Sequence, residues 1–536
     1  MNSVSFVKDL EAALAAAKRG DNTLADIVYQ RMSDAGLADP DILAALILLM
    51  LETGHYEQAL EKAQELIALR PEEAQGHCLK GRALEALHDY EVACGALVQA
   101  VKQDPGLFDA QYHLGRVLRQ VGLPQQAAER YMEALKLDQT SAELYYHFGF
   151  ALSDLGHVES AVQAYRQAIH LKPDYREAHQ ILNNLYWAHG RHNLFLRSYE
   201  DALQQVPDAE GLSLDYADRQ MHLGRYAEAG AILKRALDRR GGSAELAHGF
   251  AKVKAMAEQW DEAEIWFEKS IEGNADNFPV RRDYSRVLLL QGAYDKAEYH
   301  IRKARTLKPL DQETLSYEWL CLKLQDKPEA AALYDYDRFV RVFDLEAPEG
   351  FSSMADFNRA LAKHLHTLHK TKTHPFDQTL RHGTQTHGFL FDSDHELIRA
   401  LQTTLEKAVG LYIQGLPDDP DHPFLGRKGA GFSFAGSWSV RLSQNGHHFN
   451  HVHSSGWISS AYYVELPDDL DDSRKEGWIK FGETNLDLGE KEETGKIIRP
   501  EAGRLVLFPS YMFHGTIPIQ SEKPRMTVAF DIVPTG

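Results

Sequence analysis

The chain has 536 residues, with 58 Lys and Arg against 78 Asp and Glu, for a formal net charge of −20. That balance argues against duplex nucleic acid as a partner, because such binding neutralises phosphates with cations. An apolar fraction of 44% and a charged fraction of 25% are those of a globular protein, and no apolar run reaches the roughly 18 residues of a membrane span. The N-terminal stretch MNSVSFVKDLEAALAAAKRGD has no basic region ahead of an apolar core. The three cysteines, Cys78, Cys94 and Cys321, are too scattered for a disulfide framework. The expectation is a soluble, cytoplasmic protein with no nucleic-acid and no membrane partner.

Along the chain, the first organised feature is a period of 34 residues. Ala25, Ala59, Ala93, Ala127, Ala161, Phe195, Ala229, Ala263, Ala297 and Ala331 fall on it. Five positions before the first nine of these stand Gly20, Gly54, His88, Gly122, Gly156, Gly190, Gly224, Glu258 and Gly292. Prolines recur in a third phase at Pro71, Pro105, Pro173, Pro207 and Pro309. Alanine suits a crossing of two helices, glycine the turn between them, and proline the stop after the second. An aromatic two residues past the turn (Tyr56, Tyr90, Tyr226, Trp260, Tyr294) is placed to pack on the neighbouring helix. The pattern resembles the tetratricopeptide repeat (TPR) over about residues 5–335. That resemblance implies an all-α TPR solenoid over 1–335 whose concave surface binds a protein or peptide. Phe195, in GRHNLFLRSYE, breaks the small-residue rule, so its unit is expected to be splayed or specialised, and reads first as a local packing adjustment.

Residues 336–374 read as capping and connecting helices. Helical apolar spacing persists at Leu361, Leu365 and Leu368, and again at Leu397, Leu401 and Leu405. The histidines of KHLHTLHKTKTH (His364, His366, His369, His374) spread round a helix and read as a solvated face. Arg381 and Gln385 read as braces for a strand or as substrate contacts. After about residue 430, FSFAGSWSVRLS, GWISSAYYVELP, GWIKFG, GRLVLFPS and RMTVAFDIV have the short β-branched and aromatic texture of strands. They suit a sandwich or barrel built over a helical layer.

Chemistry concentrates in that region. Period-2 alternation puts His451 and His453 on one side of an extended segment, His514 ends a distant strand, and Arg525 begins the last one. Neutral imidazoles suit Fe(II), and an arginine fork suits a carboxylate. The stretches DQTLRHGTQTHGFLF, WSVRL, NHVHSSGWISSAYYVELP, GRLVLFPSYMFHGTIP and RMTVAFDIVP resemble a family of 2-oxoglutarate- and Fe(II)-dependent oxygenases often found behind TPR arrays. The resemblance implies a double-stranded β-helix (jelly-roll) domain over 375–536, with Fe(II) and 2-oxoglutarate as cofactor and cosubstrate. It further implies iron ligation by His451 and His514 and a pairing of Arg525 with the far carboxylate of 2-oxoglutarate. Thr527 and one of Tyr462 or Tyr463 would assist Arg525.

One departure stands out. The broader superfamily has a carboxylate where this chain has His453. Either His453 completes an all-histidine face, or Ser455 or a carboxylate from Glu465, Glu483 or Asp531 reaches in, or iron is held weakly. His447 and His448 read as loop or supporting residues, and Trp457 reads equally as pocket mouth or core. The functional expectation is a dioxygenase hydroxylating a protein or peptide recruited by the array. The alternatives are a TPR scaffold with a degenerate β-helix domain, or a small-molecule or glycan oxygenase using the array for assembly.

Overall fold

The computed structural model describes residues 12, 13, 27, 39–240 and 242–535. Gly20, Ala25 and most of the N-terminal stretch read above lie outside the described residues. The chain divides into two compact units, Met1–Leu182 and Asn183–Gly536.

The period is realised to the residue. First helices of successive repeats begin at Pro40, Ala74, Phe108, Ala142, Arg176, Glu210, Ala244, Phe278 and Gln312. Second helices begin at Tyr56, Tyr90, Pro124, Val158, Tyr226, Trp260 and Tyr294, again in steps of 34. Ala59, Ala93, Ala127, Ala161, Ala229, Ala263 and Ala297 are all fully buried where the helices cross. The turn residues take left-handed backbone, from Gly54 at φ 83° to Gly292 at φ 75°. His88 (φ 63°) and Glu258 (φ 56°) do the same without being glycine. The register weakens at its end, where the last helix is a short Glu329–Leu333 piece and Ala331 is exposed rather than buried.

One second helix departs from the series. It is due near residue 192 but runs only over Arg197–Gln205, after a non-helical stretch that ends at Leu196 with φ 70°. The reason is tertiary. Phe195 and Trp187 both pack on Phe376, with ring centroids 4.7 and 4.9 Å away. Trp187 donates through Nε1 to the His374 carbonyl at 2.8 Å. The irregular repeat is therefore the seat of a distant chain segment, not a packing adjustment confined to the repeat.

Nine strands follow among the described residues. They are β1 (Arg341–Asp344), β2 (Leu380–Gln385), β3 (Gly431–His448), β4 (Ile458–Glu465), β5 (Ile479–Phe481), β6 (Lys496–Ile498), β7 (Arg504–Pro509), β8 (His514–Thr516) and β9 (Arg525–Thr535). An antiparallel six-stranded sheet has the order β1-β7-β4-β9-β3-β2, and a three-stranded sheet the order β6-β5-β8. Residues 336–374 thus supply the edge strand β1 as well as helices, contrary to the all-helical expectation for that segment. Helices Met354–Leu368 and Glu396–Gly415 form the supporting layer, burying Phe357, Leu361, Leu365, Leu401 and Leu405. One continuous apolar core runs from the last repeats, through Phe267, Tyr284 and Trp319, into Trp457, Phe508 and Phe530 of the sheet region.

The histidines of KHLHTLHKTKTH are not a solvated face. His364 stacks on His395 at 3.6 Å, and His366 Nε2 lies 2.9 Å from Glu465. His369 is buried between the hydroxyls of Thr384 and Ser439. His366 and His369 pin the helical layer to the sheet. Trp457 is core, fully buried and donating to the Phe424 carbonyl.

Candidate metal centre

Backbone pairing brings the three histidines together. His451 and His514 exchange both main-chain hydrogen bonds (2.9 and 3.0 Å), and the His453 amide donates to the Ser510 carbonyl. A side chain at Gly515 would collide with Asn450 Oδ1, so glycine there permits the close approach of the two segments. The ligand atoms of His451, His453 and His514 all lie within 4.8 Å of one another.

Protonation follows from the outer nitrogens. His451 Nδ1 donates to the Phe449 carbonyl at 2.7 Å, and His514 Nδ1 to the Met512 carbonyl at 2.9 Å. His453 Nδ1 donates to the Asp531 carboxylate, with oxygens at 2.6 and 2.8 Å. With Nδ1 turned to an acceptor in each ring, Nε2 is the nitrogen left to face the cleft and, in a neutral ring, the one that carries the lone pair. His451 Nε2 and His453 Nε2 face each other at 3.2 Å, close enough for one cation to be held by both. Burial, with the neighbouring His453 second, pushes the His451 imidazole down to about 3. Burial also holds His514 well below the usual histidine range. These two rings are neutral at pH 7, the form that binds metals.

Arg525 lies on the same cleft, only 2% exposed, with its Nε lacking a hydrogen-bond partner. Among the described residues no Asp or Glu pairs with it. Burial lowers its pKa, and the nearest compensation is the Tyr463 ring, 5.0 Å from the guanidinium carbon. A buried guanidinium without a counter-ion is costly, and the geometry suits an anionic ligand entering the cleft.

The cleft itself has a volume of about 440 Å³ and lies between the two sheets. Alternation along β9 presents Arg525, Thr527, Ala529 and Asp531 to it, while Met526, Val528, Phe530 and Ile532 enter the core. Cross-strand register separates the two tyrosines. Tyr463 pairs with Thr527 and contacts Arg525, whereas Tyr462 pairs with Val528 and donates to Asn358 Oδ1 at 2.6 Å, in the helical layer. Tyr462 is therefore corrected to a structural residue. The rival carboxylates are engaged elsewhere: Glu465 with His366, Glu483 with Lys480 and Thr494, and Asp531 with His453. Ser455 is an exposed residue of the rim.

His448 was undervalued by the sequence. Its ring lines the cleft 5.8 Å from that of His451, its Nδ1 contacts Thr379 Oγ1 at 3.3 Å, and burial holds it well below the usual histidine range. Alternation from Trp438 and Val440 could not place it, because β3 shifts register between Leu442 and His447. Gln385 also lines the cleft, whereas Arg381 donates to the Gln378 and Leu380 carbonyls as a brace.

Comparison with known proteins agrees with this division. Residues 436–531 match the family model described as "Putative 2OG-Fe(II) oxygenase", a description that implies Fe(II) and 2-oxoglutarate. Tetratricopeptide repeat models match residues 44–106, 78–142 and 142–175. The chain thus carries TPR repeats followed by a C-terminal domain of the 2OG-Fe(II) oxygenase type. Among solved structures, a thermophilic TPR protein from Thermus thermophilus is 20% identical, covering 34% of this chain and 99% of its own, with a TM-score of 0.31. MamA from Desulfovibrio magneticus is 22% identical, covering 32% of this chain and 94% of its own, with a TM-score of 0.27. Among curated proteins there is no match. Among the described residues no helix is long and apolar enough to cross a membrane.

Proposed function

We propose that the protein is an Fe(II)- and 2-oxoglutarate-dependent dioxygenase acting on a protein or peptide brought to it by the repeat array. The observation that carries this reading is the convergence of three imidazoles in a cleft that also holds a buried guanidinium without a counter-ion. His451, His453 and His514 would hold the metal, and Arg525 the far carboxylate of the cosubstrate. Thr527 and Tyr463 would flank that carboxylate, the Tyr463 hydroxyl being buried beside the guanidinium. When bound, the Fe(II)–2-oxoglutarate pair supplies the oxidising chemistry, as oxidative decarboxylation coupled to hydroxylation of a C–H bond.

The protein's own contribution is orientation and exclusion of water. Carbonyl and carboxylate acceptors keep each imidazole proton on Nδ1, so no ring has to change tautomer when it binds. Phe508, whose ring lies 4.5 Å from that of His514, and Ile479, opposite Thr516, are apolar walls of the cleft. Two antiparallel sheets enclosing the cleft support a double-stranded β-helix assignment.

A peptide substrate is favoured by the outer approach to the site. A second cleft, of about 550 Å³, is lined by His222 of the array together with Asp377, Gln378, Thr379 and Phe449. Its rim residues Asp377, Gln378 and Thr379 also line the metal cleft. The segment just before them is held on the array by Trp187 and Phe195. An extended chain lying on the array thus has a continuous path to the metal.

The test is turnover of 2-oxoglutarate to succinate by the full-length protein with Fe(II) and O₂. His514→Ala is expected to abolish it. Arg525→Ala is expected to weaken 2-oxoglutarate binding by at least about 30-fold, the equivalent of about 2 kcal/mol for a buried charge left unpaired. Succinate formation unchanged in both variants contradicts the reading.

A further inference from the structure

The ligand set has a gap in charge. Three neutral imidazoles leave both charges of a divalent metal uncompensated, where a carboxylate ligand would cancel one. Asp531 lies directly behind this set. Its oxygens sit 2.6 and 2.8 Å from His453 Nδ1, and Ser459 Oγ donates to Oδ1 at 2.6 Å. Its side chain is 14% exposed, and it makes no ion pair with Lys or Arg among the described residues. It stands four residues beyond Thr527 on the same face of β9, so the strand that offers the guanidinium to the anion also offers this carboxylate to the metal side.

We propose that Asp531 is a positioning residue that acts on the metal through His453, setting a carboxylate behind the imidazole that stands in the place of a carboxylate ligand. It fixes the Nδ1–H form of that ring and strengthens Nε2 as a donor by accepting the outer proton in a charge-assisted hydrogen bond. The ring transmits part of the carboxylate's charge to the metal. Asp531 is not itself the third ligand, because both oxygens are directed at His453 Nδ1 and the three-histidine group closes without it. Ser459 holds the carboxylate in place, and its hydroxyl lies 2.8 Å from that of Ser510, whose carbonyl receives the His453 amide. The inference rests on reading the three histidines as a metal centre.

The experiment uses the full chain and Co(II) alone, without cosubstrate, with affinity measured by competition against a chelating indicator. Asp531→Asn keeps the shape and the acceptor but removes the charge. It is expected to weaken Co(II) binding about 10- to 100-fold, the effect usual for an outer partner of a ligating histidine, while urea unfolding of the metal-free protein changes little. Asp531→Glu is expected to restore part of the affinity. In the His453→Ala background, adding Asp531→Asn is expected to cause no further loss, since the carboxylate acts only through that ring. A further loss there makes Asp531 a ligand in its own right and overturns the proposal. So does Co(II) binding by Asp531→Asn as tight as that of the unaltered chain. Should Asp531→Asn fail to fold, Ser459→Ala takes its place, with a several-fold loss of Co(II) affinity expected and unchanged affinity counting against the proposal. Failure of the unaltered chain to bind Co(II) strikes instead at the metal reading itself.

Discussion

Tyr462 and Tyr463 are chemically identical neighbours, and one step along a strand gives them different work. Tyr463 faces Arg525 with an unpartnered hydroxyl, while Tyr462 reaches Asn358 on the opposite side of the sheet. Tyr462→Phe is therefore expected to cost about 1 kcal/mol of stability in urea unfolding, the worth of one buried hydrogen bond, with 2-oxoglutarate binding unchanged. Tyr463→Phe is expected to leave stability nearly untouched and to weaken 2-oxoglutarate binding in calorimetric titration. The reverse pattern would mean that the register assigned to β4 and β9 is wrong. His448 belongs at this scale too, because a neutral ring lining the cleft beside His451 is part of the site's wall and not of a solvated loop.

At the scale of elements, the repeat turns carry a measurable strain. Glu258 occupies a left-handed position that most of its counterparts among the described residues, though not His88, fill with glycine. Glu258→Gly is expected to raise stability by about 0.5–1 kcal/mol, the left-handed penalty less the added freedom of the unfolded chain; a lower urea midpoint would contradict this. The helical layer brings a pH dependence through His369, which burial pushes down to about 4. Above pH 6.5 the ring is neutral in both folded and unfolded chains. As pH falls from 6.5 to 4 the unfolded chain takes up a proton that the folded one refuses, so stability is lost across that window, by about 3 kcal/mol at most. Unfolding titrations of His369→Gln should show a shallower acid limb, and an identical limb would remove His369 as its source. Much of this level was legible in the sequence, because helix period, turn glycines and crossing alanines are local signals that repeat. The short helix after Leu196 was not. Phe195 announced an irregularity, but its cause, Phe376, lies nearly two hundred residues away. Strand β1 was missed because RVFD is short and half charged, and only its pairing with β7 makes it a strand. Similarly, the carboxylate of Asp531 was visible as a candidate, but its role depends on the His453 ring turning its outer nitrogen towards it.

At the scale of the molecule, the last repeats and the C-terminal sheet region lie in one compact unit, Asn183–Gly536, and share an apolar core. Tyr334, from the end of the array, stacks on Trp319 at 3.8 Å. Its hydroxyl donates to the Tyr511 carbonyl at 2.6 Å and accepts from the Phe513 amide at 2.9 Å. The segment so held leads directly into His514. Tyr334→Phe strands a buried carbonyl and amide, and is expected to lower stability by about 2 kcal/mol and to weaken Co(II) binding by loosening His514. Loss of stability with unchanged metal affinity would show that the array braces the fold without setting the ligand. The central claim, that three imidazoles hold a metal in front of a guanidinium reserved for an oxoacid, is tested most directly by anaerobic titration of the full chain. Fe(II) followed by 2-oxoglutarate should give one visible metal-to-ligand charge-transfer band, saturating at one metal per chain and absent in His514→Ala. A folded, unaltered chain that gives no band, or a band that survives His514→Ala undiminished, contradicts it.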